Sequence, residues 1–290
     1  MANLKEFRDK ISVVQSIRKV TAAMKLVAGV KLKKAEQKAR VSGEYAKELR
    51  AILTKLHRGF LNTTCELFCG RDSIDTHMLV VFASDKGLCG SFNNIIFKAT
   101  REKIRDIYVE KKKVHLICVG IKLFDAFRHV LQKNDTIELA DNFYKSQNLL
   151  NNSQELAKKI ISDFSSHKID RVSLIYTKCR SALSKEIEIK DIIPLECEHN
   201  PDKTETIFEP NLNEILQTIV PYNISVQLYQ ASLESIVGEQ ASRMTSMDNA
   251  TRNADNMLSE LKIKYNRTRQ YGITQELVEV ISGAAAIAKG

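Results

Sequence analysis

Apolar positions along this 290-residue chain change their period twice. From the N-terminus they recur at helical spacing, at Leu4, Phe7, Ile11, Val14, Ile17, Thr21, Met24 and Ala28. The series weakens through Lys31, Ala35, Lys38 and Ser42 and strengthens again at Tyr45, Leu49, Ile52 and Leu56. Steps of three and four put such residues on one face of a helix. An extra three-residue step at Ile17 breaks a strict heptad and predicts a local change of supercoil. Gly29 and Gly43 each cost about 1 kcal/mol of helix propensity relative to alanine, too little to divide a segment that contains no proline.

The C-terminal stretch is heptad-like. Alternating steps from Ile219 meet Tyr222, Val226, Tyr229, Leu233, Ile236, Gln240, Arg243, Met247, Ala250, Ala254, Met257 and Leu261, of which only Gln240 and Arg243 are polar. That pattern meets the coiled-coil criterion. A helix from about Asn213 to Ala286 would be on the order of 110 Å long. Its natural partner is the N-terminal helix, paired antiparallel.

Between these segments the period changes. Met78 to Ala83, Val114 to Val119 and Val172 to Tyr176 are continuous apolar runs that predict buried strands. Glu186 to Ile189 alternates like an edge strand, and Thr136 to Leu139 suggests a short fifth one. Helical stretches intervene at about 94–109 and 147–165. Strands alternating with helices predict a Rossmann-like α/β domain of about five mostly parallel strands. All four prolines (Pro194, Pro201, Pro210, Pro221) fall in one window, which reads as a junction between structural regimes. The expected division is a coiled-coil helix over 1–58, an α/β domain over 59–210 and a second coiled-coil helix over 211–290.

Charge sharpens this picture. Of the net +9, residues 1–58 hold fifteen Lys and Arg against five Asp and Glu, and the rest of the chain is close to neutral. An acidic partner, a polyanion or a solvated helix face would each account for this. A nucleic-acid partner is disfavoured by sparse aromatic residues and the lack of a reader motif. No apolar run reaches the eighteen residues a membrane span needs, so membrane contact is expected only through a partner.

Candidate chemistry is thin. Cys65, Cys69, Cys89, Cys118, Cys179 and Cys197 sit singly, as reduced, buried small hydrophobes would. A zinc site at Cys65 and Cys69 lacks a second ligand pair. The loop Ser84-Asp85-Lys86-Gly87-Leu88-Cys89-Gly90 follows a strand and precedes a helix, as nucleotide-binding loops do. It matches neither phosphate-binding pattern, and Lys86 precedes the glycines. Cys89 could be activated by a helix N-terminus and Lys86, but no local signature supplies a base. No catalytic, cofactor or metal residues are assigned. Near the end, Arg269, Gln270 and Thr274 lie within about one and a half turns, where a partner on that side could meet several of them.

The run Ile17-Arg18-Lys19-Val20-Thr21-Ala22-Ala23-Met24-Lys25-Leu26-Val27-Ala28, the Ser84–Gly90 loop and the segment from Tyr265-Asn266-Arg267 to Ala286 resemble the signatures of the ATP synthase gamma-subunit family, and Glu239 to Met244 is also similar. Gly29 departs from the alanine usual there. The resemblance implies a non-catalytic, cofactor-free rotary central stalk of a proton-translocating F-type enzyme. Its expected partners are the alpha and beta subunits, the epsilon subunit and the c-subunit rotor ring. The absence of a transit-peptide pattern and of the chloroplast insertion suggests a bacterial chain, peripheral on the cytoplasmic face of the inner membrane. Residue by residue, the resemblance makes Arg269, Gln270 and Thr274 a catch on the beta subunit, with Arg243 a further contact. Met24 and Lys25 become shaft contacts near acidic beta loops, and Lys86, Gly87, Leu88, Cys89 and Gly90 a foot loop.

Overall fold

Two helices, α1 (Ala2–Arg58) and α5 (Leu212–Ile287), flank a five-stranded α/β sheet in the computed structural model. The described residues are 2–58, 67, 70–71, 73–130, 135–140, 143–144, 148–179, 185–195 and 212–287. They group into two compact units, one of Met1–Ala28 with Arg243–Gly290 and one of Gly29–Ser242.

In the second unit the sheet comprises β1 (Thr76–Phe82), β2 (Lys113–Val119), β3 (Thr136–Leu139), β4 (Arg171–Cys179) and β5 (Lys185–Ile193). Their order is β3-β2-β1-β4-β5. The first four are parallel, and β5 pairs antiparallel with β4, its register shifting at Val172/Ser173. The order reverses between β1 and β4, the topological switch point of a doubly wound sheet. All five strands lie where the sequence predicts them.

Period-two alternation splits each inner strand between two cores. Met78, Val80 and Phe82 of β1 pack with α4 (Leu149–Ser165) and with Val220, Ile224, Leu228 and Ala231 of α5. Leu79, Val81 and Ala83 pack with α2 (Phe92–Val109) and α3 (Ile121–Phe127). Both faces are covered, which is why these strands read as unbroken apolar runs. The short α3, absent from the sequence expectation, starts after Gly120, whose φ is +123°. A Cβ there would meet the Ala83 carbonyl oxygen at 2.5 Å, so only glycine fits.

Half-buried polar groups tie down the strand entrances. Asp170 accepts from the Asp75 and Thr76 amides at 3.0 Å and from Arg71 at 3.0 Å. Arg71 also donates to the Phe164 carbonyl at 2.8 Å and stacks 4.2 Å from that ring's centroid. Although burial alone would raise the Asp170 carboxyl, these donors hold it below its usual range.

The ends of α1 and α5 pair antiparallel within each unit. In the second, Ala46 and Leu49 pack on Val226, and Tyr45 meets Tyr222 edge to face at 6.2 Å. In the first, Val14 packs with Ala254 and Leu258, flanked by Ile11 and Leu261. Polar pairs continue this seam. Arg8 donates to the Tyr265 hydroxyl at 2.9 Å, the Thr21 and Thr251 hydroxyls lie 2.9 Å apart, and Arg18 pairs with Asp255. Lys25 donates to Asp248 at 2.6 Å, and that carboxylate also takes Arg252 at 2.9 Å.

These contacts correct the predicted seam. Ile17 is 50% exposed, and Tyr45, Ile52 and Met257 also face solvent. Val14, Ala28, Ala35, Ser42, Leu49, Met247 and Ala254 of the predicted seam are buried, and Leu32, Ala46, Leu53 and Leu258 join them. With Arg18 and Lys25 at the seam, α1 keeps a regular alternation of three and four, and the irregular step at Ile17 disappears. Pairing with aspartates lets basic residues take positions that a hydrophobic search assigns to Ile17 and Met24. Such half-exposed pairs add little stability; they fix register more than they stabilise.

The corrected seam separates neighbours in sequence. Leu258→Ala, at a buried position, should cost about 2–3 kcal/mol, whereas Met257→Ala should cost under about 0.5 kcal/mol. Denaturant unfolding followed by helical circular dichroism checks both; equal losses would return the seam to Met257.

Candidate partner-contact residues

The Ser84–Gly90 loop leaves the sheet at the C-terminal end of β1. Leu88 and Gly90 take positive φ values of 62° and 60°. These fold the loop back on itself, leaving Leu88 exposed and burying Cys89. Ser84 anchors the turn: its amide donates to Asn93 Oδ1 at 3.2 Å, and its hydroxyl lies 2.7 Å from the Lys86 carbonyl and 2.9 Å from the same Oδ1. Asp85 accepts from the Ile121 amide at 3.1 Å, joining the loop to α3. Asn93 Nδ2 donates to Cys89 Sγ at 3.5 Å, and the thiol shares the apolar core with Phe92. The nucleophile reading of Cys89 has no geometry behind it: the sulfur faces this polar turn from inside the core. Cys118 is equally buried, and burial pushes its thiol up to about 12. Cys65, Cys69 and Cys197 lie outside the described residues.

Arg269, Gln270 and Thr274 are all exposed on α5. The Thr274 hydroxyl donates to the Gln270 carbonyl at 2.9 Å, which leaves Arg269 and the Gln270 amide as the outward-reaching groups. Arg243 is half-buried, as are Met24 and Lys25. Lys25 carries its charge into the pair with Asp248. Around them, Val13, Ile17, Val20, Leu26 and Val27 on α1, with Ile273, Leu277, Val278, Val280 and Ile281 on α5, expose large apolar side chains.

One arrangement escaped the sequence reading because its members are scattered along the chain. His77, Ser173, Asp191 and Arg171 meet where β1, β4 and β5 lie side by side. His77 Nε2 is 2.7 Å from Ser173 Oγ, and Ser173 and Arg171 both donate to Asp191. The residue types are those of a hydrolytic triad, but the order is not. Serine stands between histidine and aspartate and gives its only proton to the carboxylate, so His77 must donate to it and cannot act as its base. His77 and Ser173 are buried, and the cluster stitches three strands together. Burial, then the Arg171 charge, lowers His77 to about 4. Asp191, which burial alone would raise, is held low by Ser173 and Arg171.

The family model described as ATP synthase matches residues 3–287. The ATP synthase gamma chain of Pelagibacter ubique is 36% identical over 292 residues, covering 99% of this chain and all of that one. The chain belongs to the ATP synthase gamma-chain family. The gamma chain of Chelativorans sp. is 38% identical over 293 residues, again covering 99% of this chain and 100% of its own length. The fold also resembles a chain in the Euglena gracilis mitochondrial ATP synthase rotor, with TM-score 0.67, 18% identity, and coverage of 94% of this chain and 99% of that one. Family membership therefore spans both helices and the sheet. Among the described residues no helix is long and apolar enough to cross a membrane.

The depressed His77 gives a signed pH dependence. Folded His77 resists protonation down to about 4, while the unfolded side chain takes a proton near 6.5. Its contribution is intact above 6.5 and is lost as pH falls toward 4, at about 1.4 kcal/mol per unit. Unfolding free energies measured between pH 7 and 4 should fall more steeply for the native chain than for His77→Gln; parallel curves would remove this assignment.

Proposed function

We propose that this gamma-family chain is the rotating central stalk of a proton-translocating ATP synthase, and that it changes the nucleotide affinity of the catalytic beta subunits by presenting different sides to them in turn. The observation that carries the reading is the antiparallel pairing of α1 with α5 in a chain related along its length to gamma chains. A narrow seam consumes one face of each helix. The exposed faces differ in character, with apolar side chains and a basic excess on α1 and the polar Arg269–Thr274 group on α5. An axle with unlike sides has unlike contact energies with identical neighbours, and that difference biases their conformations.

In this reading the chain carries no bond-making chemistry, and ATP is formed in the beta subunits. Arg269 and Gln270 catch a beta loop, with Thr274 bracing the helix between them and Arg243 adding a further contact. Met24 and Lys25 lie beside acidic beta loops. Lys25 is already neutralised by Asp248, so the apolar Met24 and the remaining basic residues of α1 dominate there. Residues 59–210, with the Lys86–Gly90 loop, form the foot that meets the epsilon subunit and the c-subunit ring, and the helices of 1–58 and 211–290 form the shaft. The chain is held at the cytoplasmic face of a bacterial inner membrane through those partners.

Removing charge-assisted contacts at a closed interface costs about 1.5–3 kcal/mol, so Arg269→Ala with Gln270→Ala should lower ATP-driven turnover of the assembled enzyme by roughly tenfold or more. Thr274→Ala, whose hydroxyl is engaged within its own helix, should do far less. Turnover assays on reconstituted complexes decide this; an unimpaired double variant would eliminate the catch. The purified chain alone should hydrolyse no ATP, and reproducible turnover by it would overturn the non-catalytic role.

A further inference from the structure

In doubly wound sheets, ligands bind outside the carboxyl ends of the strands at the switch point, which here lies between β1 and β4. That crevice is filled by the chain itself. Ser235 of α5 donates to the Phe82 carbonyl at the end of β1 at 3.3 Å and is hydrogen-bonded with Tyr144. One turn on, Gly238 approaches so closely that a Cβ would lie 3.0 Å from Thr177 Cγ2 of β4 and 3.2 Å from Phe92 Cε2 at the start of α2. Glycine in a helix interior costs about 1 kcal/mol relative to alanine. Its presence within a long helix fits this approach, since any Cβ there needs Thr177 and Phe92 to give by a few tenths of an ångström and a bulky side chain needs far more.

We infer that the Ser235–Gly238 turn of α5 is a closed socket joint, the point at which torque generated on the α/β domain passes into the C-terminal helix. This rests on the stalk reading above. A packed core alone resists sliding poorly, because apolar contacts are non-directional. A helix turn seated among the ends of β1 and β4 and the start of α2 is blocked on several sides, and its hydrogen bond to the Phe82 carbonyl fixes its rotation. Gly238 is therefore a positioning residue that acts through α5, and the crevice that serves ligands in other doubly wound sheets here holds a mechanical element.

The test uses membranes carrying the whole complex and reads the ratio of ATP-driven proton pumping to ATP hydrolysis at equal complex content. Gly238→Leu overfills the socket, and the ratio should fall by roughly fivefold or more, the lower end of the range expected for overpacking a buried contact. An unchanged ratio overturns the joint. Should Gly238→Leu fail to assemble, the pair Thr177→Cys and Gly238→Cys replaces it. The Thr177 Cβ lies 3.2 Å from a Cβ built at Gly238, close to the roughly 3.5–4.5 Å that a disulfide needs. Oxidation should link the pair and leave the ratio unchanged, because a closed joint does not open during turnover. Failure to link, or a ratio that drops on oxidation and returns on reduction, contradicts the proposal. Single-cysteine variants control for the native thiols. Membranes lacking the chain that still pump would sink the stalk reading itself, which a normal ratio in Gly238→Leu would not.

Discussion

The contact on which the terminal helices depend is the antiparallel seam between α1 and α5, where apolar side chains alternate with matched opposite charges. Val14, Ala254 and Leu258 exclude water, while Arg18 with Asp255 and Lys25 with Asp248 occupy neighbouring seam positions. Apolar packing alone tolerates sliding by a heptad, since each position resembles the one seven residues away. A charge that must find its partner does not. The pairs add little stability, being half-exposed, but a slipped register would set basic residues against apolar ones. The outer faces of α1 and α5 stay exposed and differ in character.

The sheet answers a different constraint. Its inner strands are buried on both faces, so α2, α3 and α4, with Leu53 of α1, cover apolar surface. Helix α5 does more: it packs on one face through Ile224 and Leu228 and then enters the switch-point crevice through Ser235 and Gly238. The nearby Ser84–Gly90 loop is held by its own hydrogen bonds to Asn93 and α3. A fold best known for holding ligands here holds a helix.

Much of this was legible in the chain. Apolar runs located β1, β2 and β4, because burial on both faces leaves a continuous signal; alternation located the edge strand β5, and the long proline-poor ends declared long helices. The seam's phase was not legible, since Ile17 is the better hydrophobe and Arg18 belongs at the interface only once Asp255 stands opposite. Arg269, Gln270 and Thr274 could be singled out by spacing and by resemblance. The His77–Ser173–Asp191 cluster could not, because its members come from three strands and meet only through sheet order. Gly238 is of the same kind: a lone glycine in a helical pattern has no visible cause until Thr177 and Phe92 close around it. The short α3 was hidden by its length, a single apolar patch behind a glycine.

The proposed stalk role asks for helices held in a fixed register and unlike in the faces they leave exposed. Register is fixed by the Arg18–Asp255 and Lys25–Asp248 pairs, and the exposed faces differ, apolar and basic on α1 and polar around Arg269 to Thr274 on α5. The most direct measurement is rotation itself. A bead attached to an introduced cysteine on α2, in complexes immobilised through the catalytic subunits, should turn in one direction while ATP is hydrolysed. A bead that stays still during sustained hydrolysis by the same complexes would contradict the account.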